Sequence, residues 1–181
     1  MTIRLDPRES VAHYSRGIAW HAKGDFDKAL SDFDESIRLY RKSAWAHDRR
    51  AWICATCPKK KYRDGAKAIE DATKACELTD WKYPYCLGTL AAAYAEAGQF
   101  DKAVEWQKKA IGTLSAADAE AGEFAKAQRQ PIRPAVVPYK HYVEAGEFEK
   151  AERAPEARKR EFQNRLKLYK ERKPYRDEPK K

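Results

Sequence analysis

The chain has 181 residues, of which 43% are hydrophobic and 36% charged, enough for one domain or an array of small repeats. No run of eighteen apolar residues occurs, no apolar leader opens the chain, and four cysteines are too few for a disulfide framework, so we expect a cytoplasmic protein with no membrane partner. The net charge of +9 permits a nucleic-acid or acidic partner without requiring one.

The first part of the chain repeats with a period of 34 residues. Residues 2–5 recur at 36–39, and residues 24–29 recur at 98–103, which is an offset of 34 plus 40. The middle copy therefore carries about six extra residues, most of them in 58–65. A period of this length indicates a stacked array of supersecondary units.

Each copy reads as two helices. In the first copy we expect a helix over 10–23, ended by Gly24, because glycine accepts the left-handed conformation after a helix. Asp25 is placed to cap the next helix with its carboxylate. That helix carries one apolar stripe at helical spacing, formed by Phe26, Ala29, Leu30, Phe33 and Ile37. No segment alternates as a strand would, so the sequence predicts an all-α protein.

Small residues occupy matching places in the copies. Glycine or alanine stands at the eighth place and alanine at the twentieth, with an aromatic residue at the eleventh place in two copies. These residues are Gly17, Ala51 and Ala91, then Ala29, Ala68 and Ala103, then Trp20 and Tyr94. Together with Gly-Asp-Phe at the turn, this pattern resembles the tetratricopeptide repeat. The resemblance implies a right-handed superhelical array of antiparallel helix pairs (an α-solenoid) with a C-terminal capping helix.

The stretches 55–58, 75–79, 90–98 and 173–176 further resemble a bacterial, planctomycete-type subfamily, in which such repeats often belong to larger chains.

The repeat register divides the chain. Because 1–7 match the end of a repeat's second helix, we predict that the chain is a fragment of a longer protein; a gene that starts there is the alternative. The nonapeptide at 95–103 returns at 119–127 and 143–151. The predicted units are repeats at 8–41, 42–79 (with an expanded turn at 58–65) and 80–113, degenerate or inserted helical pairs with a Pro-rich connection at 114–153, a capping helix at 154–172 and a tail at 173–181.

In the capping helix, Phe162, Leu166 and Tyr169 form the apolar stripe, and basic residues such as Arg165 are expected on a solvated face.

The resemblance also indicates a binding groove, since the first helix of each pair lines the concave face in tetratricopeptide arrays. Carrying those places over predicts a partner-binding surface made of Tyr14, Ile18, His21, Trp45, Asp48, Arg49, Trp52, Tyr85 and Thr89. Some members of the family hold a peptide's C-terminal carboxylate with Lys and Asn there. Because Tyr14, Ile18 and Asp48 stand at such places, no carboxylate clamp is predicted. An aromatic groove suits an extended or helical peptide with apolar anchors. The alternative is that Trp45 and Trp52 are partly core or are covered by 114–153.

Other candidate sites have simpler explanations. Cys54 and Cys57 form a C-x-x-C pattern that could hold zinc with Cys76 and Cys86, but Cys54 falls on an apolar helix face, so buried structural cysteines are favoured. His13 and His47 are repeat-equivalent and are expected to pack between helices. The run Lys59, Lys60, Lys61 and Arg63 could contact phosphates, with a solvated loop as the alternative.

These observations favour one function and leave others open. No catalytic motif is recognisable, so we predict no enzyme activity and no cofactor. The main hypothesis is a non-catalytic protein–protein interaction scaffold with a peptide or protein ligand. The alternatives are a nucleic-acid-binding helical repeat, which would use the basic loop and cap helix, and a structural spacer from a larger protein. Self-association through an exposed repeat end is also open.

Overall fold

The computed structural model of the chain describes residues 7–128 and 155–177. Within these residues all regular structure is helical, which confirms the predicted all-α class. The helices are α1 (Pro7–Ala22), α2 (Phe26–Leu39), α3 (Ala44–Thr56), α4 (Gly65–Leu78), α5 (Pro84–Glu96), α6 (Phe100–Gln128) and α7 (Pro155–Lys170). One turn of 3₁₀ helix, Lys60–Tyr62, lies in the expanded loop between α3 and α4.

The helices pack in pairs that stack on one another. The pairs are α1 with α2, α3 with α4, and α5 with α6, while α3 also contacts α2 and α5, and α5 also contacts α4. Helix α7 follows the last pair and packs on α6. This arrangement is the predicted tetratricopeptide-like solenoid, in which each pair buries its apolar face against its neighbours.

The turn inside the first pair forms as the sequence predicts. Gly24 has φ of 75° and Gly98, its counterpart in the third pair, has φ of 74°. The Asp25 carboxylate accepts a hydrogen bond from the backbone N–H of Lys28 at 3.3 Å and so caps α2. Short turns of this kind bring the second helix directly back along the first.

A small residue lets α1 and α2 approach closely. A Cβ atom added at Gly17 would lie 2.7 Å from Cε1 of Phe33, whose side chain has no exposed surface. Gly112 lies on α6 with nothing within 4 Å of an added Cβ. The two glycines therefore occupy helices for different reasons, and only the first is required by packing.

Alanine at these two positions is expected to act in opposite directions. Gly17→Ala should lower the free energy of unfolding by about 1–2 kcal/mol, because the buried Phe33 ring has no room to move away. Gly112→Ala should raise it by about 0.5–1 kcal/mol through helix propensity alone. Urea denaturation followed by circular dichroism measures both. A Gly17→Ala variant as stable as Gly112→Ala would contradict this packing.

Helix α6 differs from its predicted extent. The sequence places a repeat boundary at 113, but α6 continues without interruption to Gln128. The remainder of the predicted degenerate region, with its Pro-rich connection, lies outside the described residues. So does the stretch 1–6, most of the segment assigned to a preceding repeat. Where the sequence predicts a tail beginning at 173, residues 175–177 contact α3 and α5.

Candidate protein-binding groove

The first helices of the second and third pairs, α3 and α5, lie side by side and share a face with mixed aromatic and polar character. Helix α7 and residues 175–177, which follow it without helical structure, lie against that face. We call this face the groove. Its described lining residues are Trp45, Asp48, Trp52, Ala55, Thr56, Tyr85, Gly88, Thr89 and Glu96.

One end of the groove is filled by Phe162 of α7. Its ring meets Tyr85 edge-on with centroids 5.7 Å apart, and a Cβ added at Gly88 would lie 3.2 Å from the same ring. Gln107 of α6 donates a hydrogen bond from Nε2 to the backbone oxygen of Phe162 at 3.1 Å. Phe162 is 1% exposed, so it anchors α7 to the third pair as the predicted apolar stripe requires.

Arg165 lies inside the groove, which corrects the expectation that it faces solvent. Its guanidinium carbon is 4.6 Å from the ring centroid of Trp52 and 4.9 Å from that of Tyr175. Glu161, one turn earlier on α7, pairs with it. A planar cation between aromatic faces keeps its charge balanced by the carboxylate while it excludes water. Arg165 therefore joins α7 to the segment that follows it.

Residues 175–177 then contact the groove one after another. Tyr175 packs against Trp52 with ring centroids 5.8 Å apart. Arg176 places Nη2 2.8 Å from Oε2 of Glu96. The backbone N–H of Asp177 donates to the carbonyl of Thr56 at 3.0 Å, and its carboxylate accepts from Nε1 of Trp52 at 2.6 Å. Both main-chain and side-chain groups thus hold this segment in place.

Glu96 links the groove to the expanded loop. Its side chain is 15% exposed and meets two arginines, Arg176 from the C-terminal segment and Arg63 from the loop, whose Nε lies 3.0 Å from Oε1. Arg63 also donates from Nη1 to the carbonyl of Cys57 at 2.9 Å. Arg63 is therefore turned inward, unlike the phosphate contact predicted for it.

The three lysines of the same run remain at the surface. Lys59, Lys60 and Lys61 are all exposed, and Nζ of Lys61 lies 3.5 Å from the Asp27 carboxylate. Two of them also sit over aromatic rings, Lys59 over Phe26 and Lys61 over Tyr62. Their basic charge is therefore partly matched within the chain.

The predicted groove residues of the first pair are placed differently from the others. Tyr14 and Ile18 are buried among α1, α2 and α3, in a cluster with Phe33, Ala46 and Ile53, so they form core rather than a binding surface. Their place on α1 matches the family's groove register, but the second pair covers them. His21 is half-buried and meets Phe26 edge-on.

The predicted residues of α3 and α5 do come together. Trp45 meets Tyr83 edge-on at 4.5 Å, and Tyr83 in turn lies 5.6 Å from Tyr85. Trp45, Arg49 and Tyr85 are half-buried, whereas Asp48, Trp52 and Thr89 are buried. Trp52 is therefore covered, as the alternative interpretation predicts. Among the described residues it is covered by α7 and by 175–177. Residues 129–154 lie outside the described part of the chain.

The cysteines lie in the interior as free thiols. Burial raises the pKa of Cys54 to about 11 and that of Cys76 to about 12, and it raises that of Cys86 as well. Cys54 and Cys57 belong to different core clusters. Among the side chains that the structure describes, no group of three or more His, Cys, Asp or Glu residues is arranged to hold a metal ion.

A polar cluster recurs in the first two pairs. His47 and Arg50 of α3 both bond Asp71 of α4, with Nδ1 of His47 2.9 Å and Nη2 of Arg50 2.6 Å from Oδ1. His13, Arg16 and Asp32 form the same contacts in the first pair. The third pair has Leu87, Leu90 and Trp106 at the matching places. The two histidines therefore pack between helices, and these clusters serve the fold and lie apart from the groove.

Comparison with protein-family models finds two matches, each described as a tetratricopeptide repeat, at residues 10–43 and 85–114. These segments are the first pair and most of the third, so the tetratricopeptide resemblance is confirmed. The planctomycete-type resemblance stays a prediction. No curated protein matches the chain. Repeats of this type generally act as non-catalytic scaffolds for protein–protein interactions. Among the helices described, none is long and apolar enough to cross a membrane.

Proposed function

We propose that this chain is a non-catalytic protein–protein interaction module that binds a partner polypeptide in the groove. One observation carries the proposal: the groove already holds a polypeptide segment, residues 175–177 of the same chain, through backbone and side-chain contacts. The two tetratricopeptide matches support the same class of function.

The chemistry of the groove suits a peptide. Its described lining presents backbone carbonyls at Ala55 and Thr56, an indole N–H at Trp52, a carboxylate at Glu96 and several aromatic faces. Backbone carbonyls accept hydrogen bonds from the main-chain N–H groups or the cationic side chains of a peptide. Aromatic faces can bury an apolar side chain of the ligand, and such buried residues contribute much of the binding energy at protein interfaces. These groups are spread along two helices, as an elongated ligand requires.

The alternatives have less support among the described residues. For nucleic acid, the basic loop offers Lys59, Lys60 and Lys61, because Arg63 is paired with Glu96. In the cap helix α7, Arg165 is buried against Trp52, and the remaining basic residues are not arranged along any described groove. Aromatic residues that would stack on bases are instead packed on one another in the groove.

Site-specific photo-crosslinking in the source cell tests the proposal. With p-benzoylphenylalanine in place of Trp45, which is half-buried in the groove, we expect a covalent adduct whose size is unchanged by nuclease. The matched control carries the same amino acid in place of Trp106, half-buried on α6 and stacked on Trp81. No protein adduct at position 45, or an equal yield of the same adduct at both positions, would contradict the proposal.

A further inference from the structure

We propose that the groove recognises a peptide with the order aromatic, arginine, aspartate, and that Tyr175-Arg176-Asp177 is an intramolecular ligand occupying the site. The inference rests on the proposed function and names the class of partner: a polypeptide segment that carries this motif and competes with residues 175–177.

The end of α3 supplies the main-chain part of the site. The last carbonyls of a helix have no partner within the helix. In α3, the carbonyl of Cys54 accepts from the N–H of Asp64 in the loop, and that of Thr56 accepts from the N–H of Asp177. The carbonyl of Ala55 accepts from Nη1 of Arg176 at 3.4 Å. Two helix-end carbonyls are therefore satisfied by the C-terminal segment, so any peptide that replaces it must supply the same donors.

Three consecutive side chains each make a contact of a different kind. Tyr175 packs against the Trp52 ring and against the guanidinium of Arg165. Arg176 pairs with Glu96 beside the C-terminus of α3, where the helix dipole also favours a cation. The Asp177 carboxylate accepts a hydrogen bond from the indole N–H of Trp52, which can only donate. An aromatic, a cationic and an anionic side chain are thus each matched by a complementary group, and such matching gives a peptide site its sequence preference.

The connection from α7 delivers the segment to the groove without helix or sheet structure of its own. Arg172 has φ of 55°, and the N–H of Lys173 donates to the carbonyl of Leu168 at 2.9 Å, so the chain reverses directly after α7. Only side-chain and end-of-helix contacts then need to break for 175–177 to leave. A tethered segment acts at an effective concentration in about the millimolar range, so a free peptide competes poorly until the segment is released.

The test uses the full chain and a fluorescent peptide with the sequence of residues 173–178. The released variant carries Tyr175→Ala, Arg176→Ala and Asp177→Ala. The matched control carries Lys170→Ala, Glu171→Ala and Lys173→Ala, three exposed positions just before the segment. Fluorescence anisotropy measures the dissociation constant. We expect the released variant to bind the peptide at least tenfold more tightly than either the wild type or the control.

Peptide variants test the recognised order. Replacing the peptide's arginine by alanine, or adding Glu96→Gln to the released variant, should weaken binding about tenfold or more, because each removes a charge-assisted contact. The proposal would be overturned if neither substitution changed the dissociation constant. It would also be overturned if the peptide failed to bind a released variant whose helical circular dichroism is unchanged. A wild-type mass of two chains that falls to one in the released variant would place the segment in a second copy and overturn its intramolecular role.

The crosslinking experiment separates the two proposals. An adduct at position 45 without peptide binding would remove the motif and leave the general function standing. Because residues 175–177 occupy the wild-type groove, the crosslinking is repeated in the released variant. Peptide binding without a protein adduct in either chain would leave a peptide site and contradict the general function.

Discussion

Replacing Phe162 by alanine is expected to weaken the docking of α7 by about 3–5 kcal/mol, the usual cost of removing a large buried side chain. The ring is 1% exposed and fills the space between Tyr85 and Gly88. Because stacked repeats depend on nearest neighbours, the loss should first detach α7 and 173–177 and leave the first two pairs folded.

Hydrogen exchange read by mass spectrometry can locate that loss. In Phe162→Ala, exchange of backbone amides should rise in peptides that cover α7 and 173–177, with little change in α1 and α2. The matched control is Gln163→Ala, at the adjacent exposed position of the same helix. If both variants exchange like the wild type, Phe162 does not anchor α7.

The second large effect is expected at Asp71. Asp71→Ala should lower the free energy of unfolding by about 3 kcal/mol, because it leaves His47 and Arg50 facing each other in a site with little water. This loss of stability is at the low end of what removing one partner of a buried ion pair costs, because Arg50 keeps its ion pair with Asp34 at 2.6 Å. The side chain of Arg50 is 17% exposed.

The first pair provides the control for Asp71. Asp32→Ala removes the same contacts, but the Arg16 side chain is 60% exposed and can be hydrated instead. We expect a loss of about 1 kcal/mol there. Chemical denaturation of both variants measures the difference, and equal losses would show that burial of the arginine does not set the cost.

The Asp71 cluster also predicts a pH dependence. Burial opposes ionisation of Asp71, but hydrogen bonds from His47 and Arg50 outweigh it and hold the pKa below its usual range. A carboxyl group with a lowered pKa in the folded state stabilises the protein above the unfolded pKa of about 4. That stabilisation is lost as the pH falls through the folded pKa. The stability gap between wild type and Asp71→Asn should therefore narrow below about pH 4.

The features that could be predicted from the sequence are the ones with a local cause. Gly24 and Asp25 end one helix and cap the next through contacts within four residues. Small residues such as Gly17 recur because two helices of one pair must approach closely. Periodicity therefore leads from the residues to the solenoid and to the position of α7.

The occupied groove depends on contacts that no local pattern encodes. Arg165 looks like a solvated residue on a basic helix, because the aromatic ring that accepts it belongs to Trp52, more than a hundred positions earlier. Tyr175, Arg176 and Asp177 follow the last helix with no periodicity. The hydrogen-bond partners of Arg176 and Asp177 in α3, Ala55 and Trp52, lie 121 and 125 positions earlier in the chain. The repeat register predicts Trp52 as part of the groove but gives no signal for the segment that occupies it.

The register of the repeat also misplaces residues at one end of the array. Tyr14 and Ile18 occupy groove places by position, but Ala46 and Ile53 of the second pair pack over them. A register argument assigns each residue a face of its own helix and does not include the tilt of the next pair. The same limit applies to Arg63, whose charge alone did not show that it turns towards Glu96.

Proton–proton nuclear Overhauser effects can establish whether residues 175–177 occupy the groove of their own chain. In the isotope-labelled full chain, the Tyr175 ring should give cross-peaks to the Trp52 indole, since the ring centroids are 5.8 Å apart. The Trp52 Nε1–H should exchange slowly because it donates to Asp177, and faster in Asp177→Ala. Absent cross-peaks, with an indole proton that exchanges equally fast in both proteins, would contradict the occupied groove.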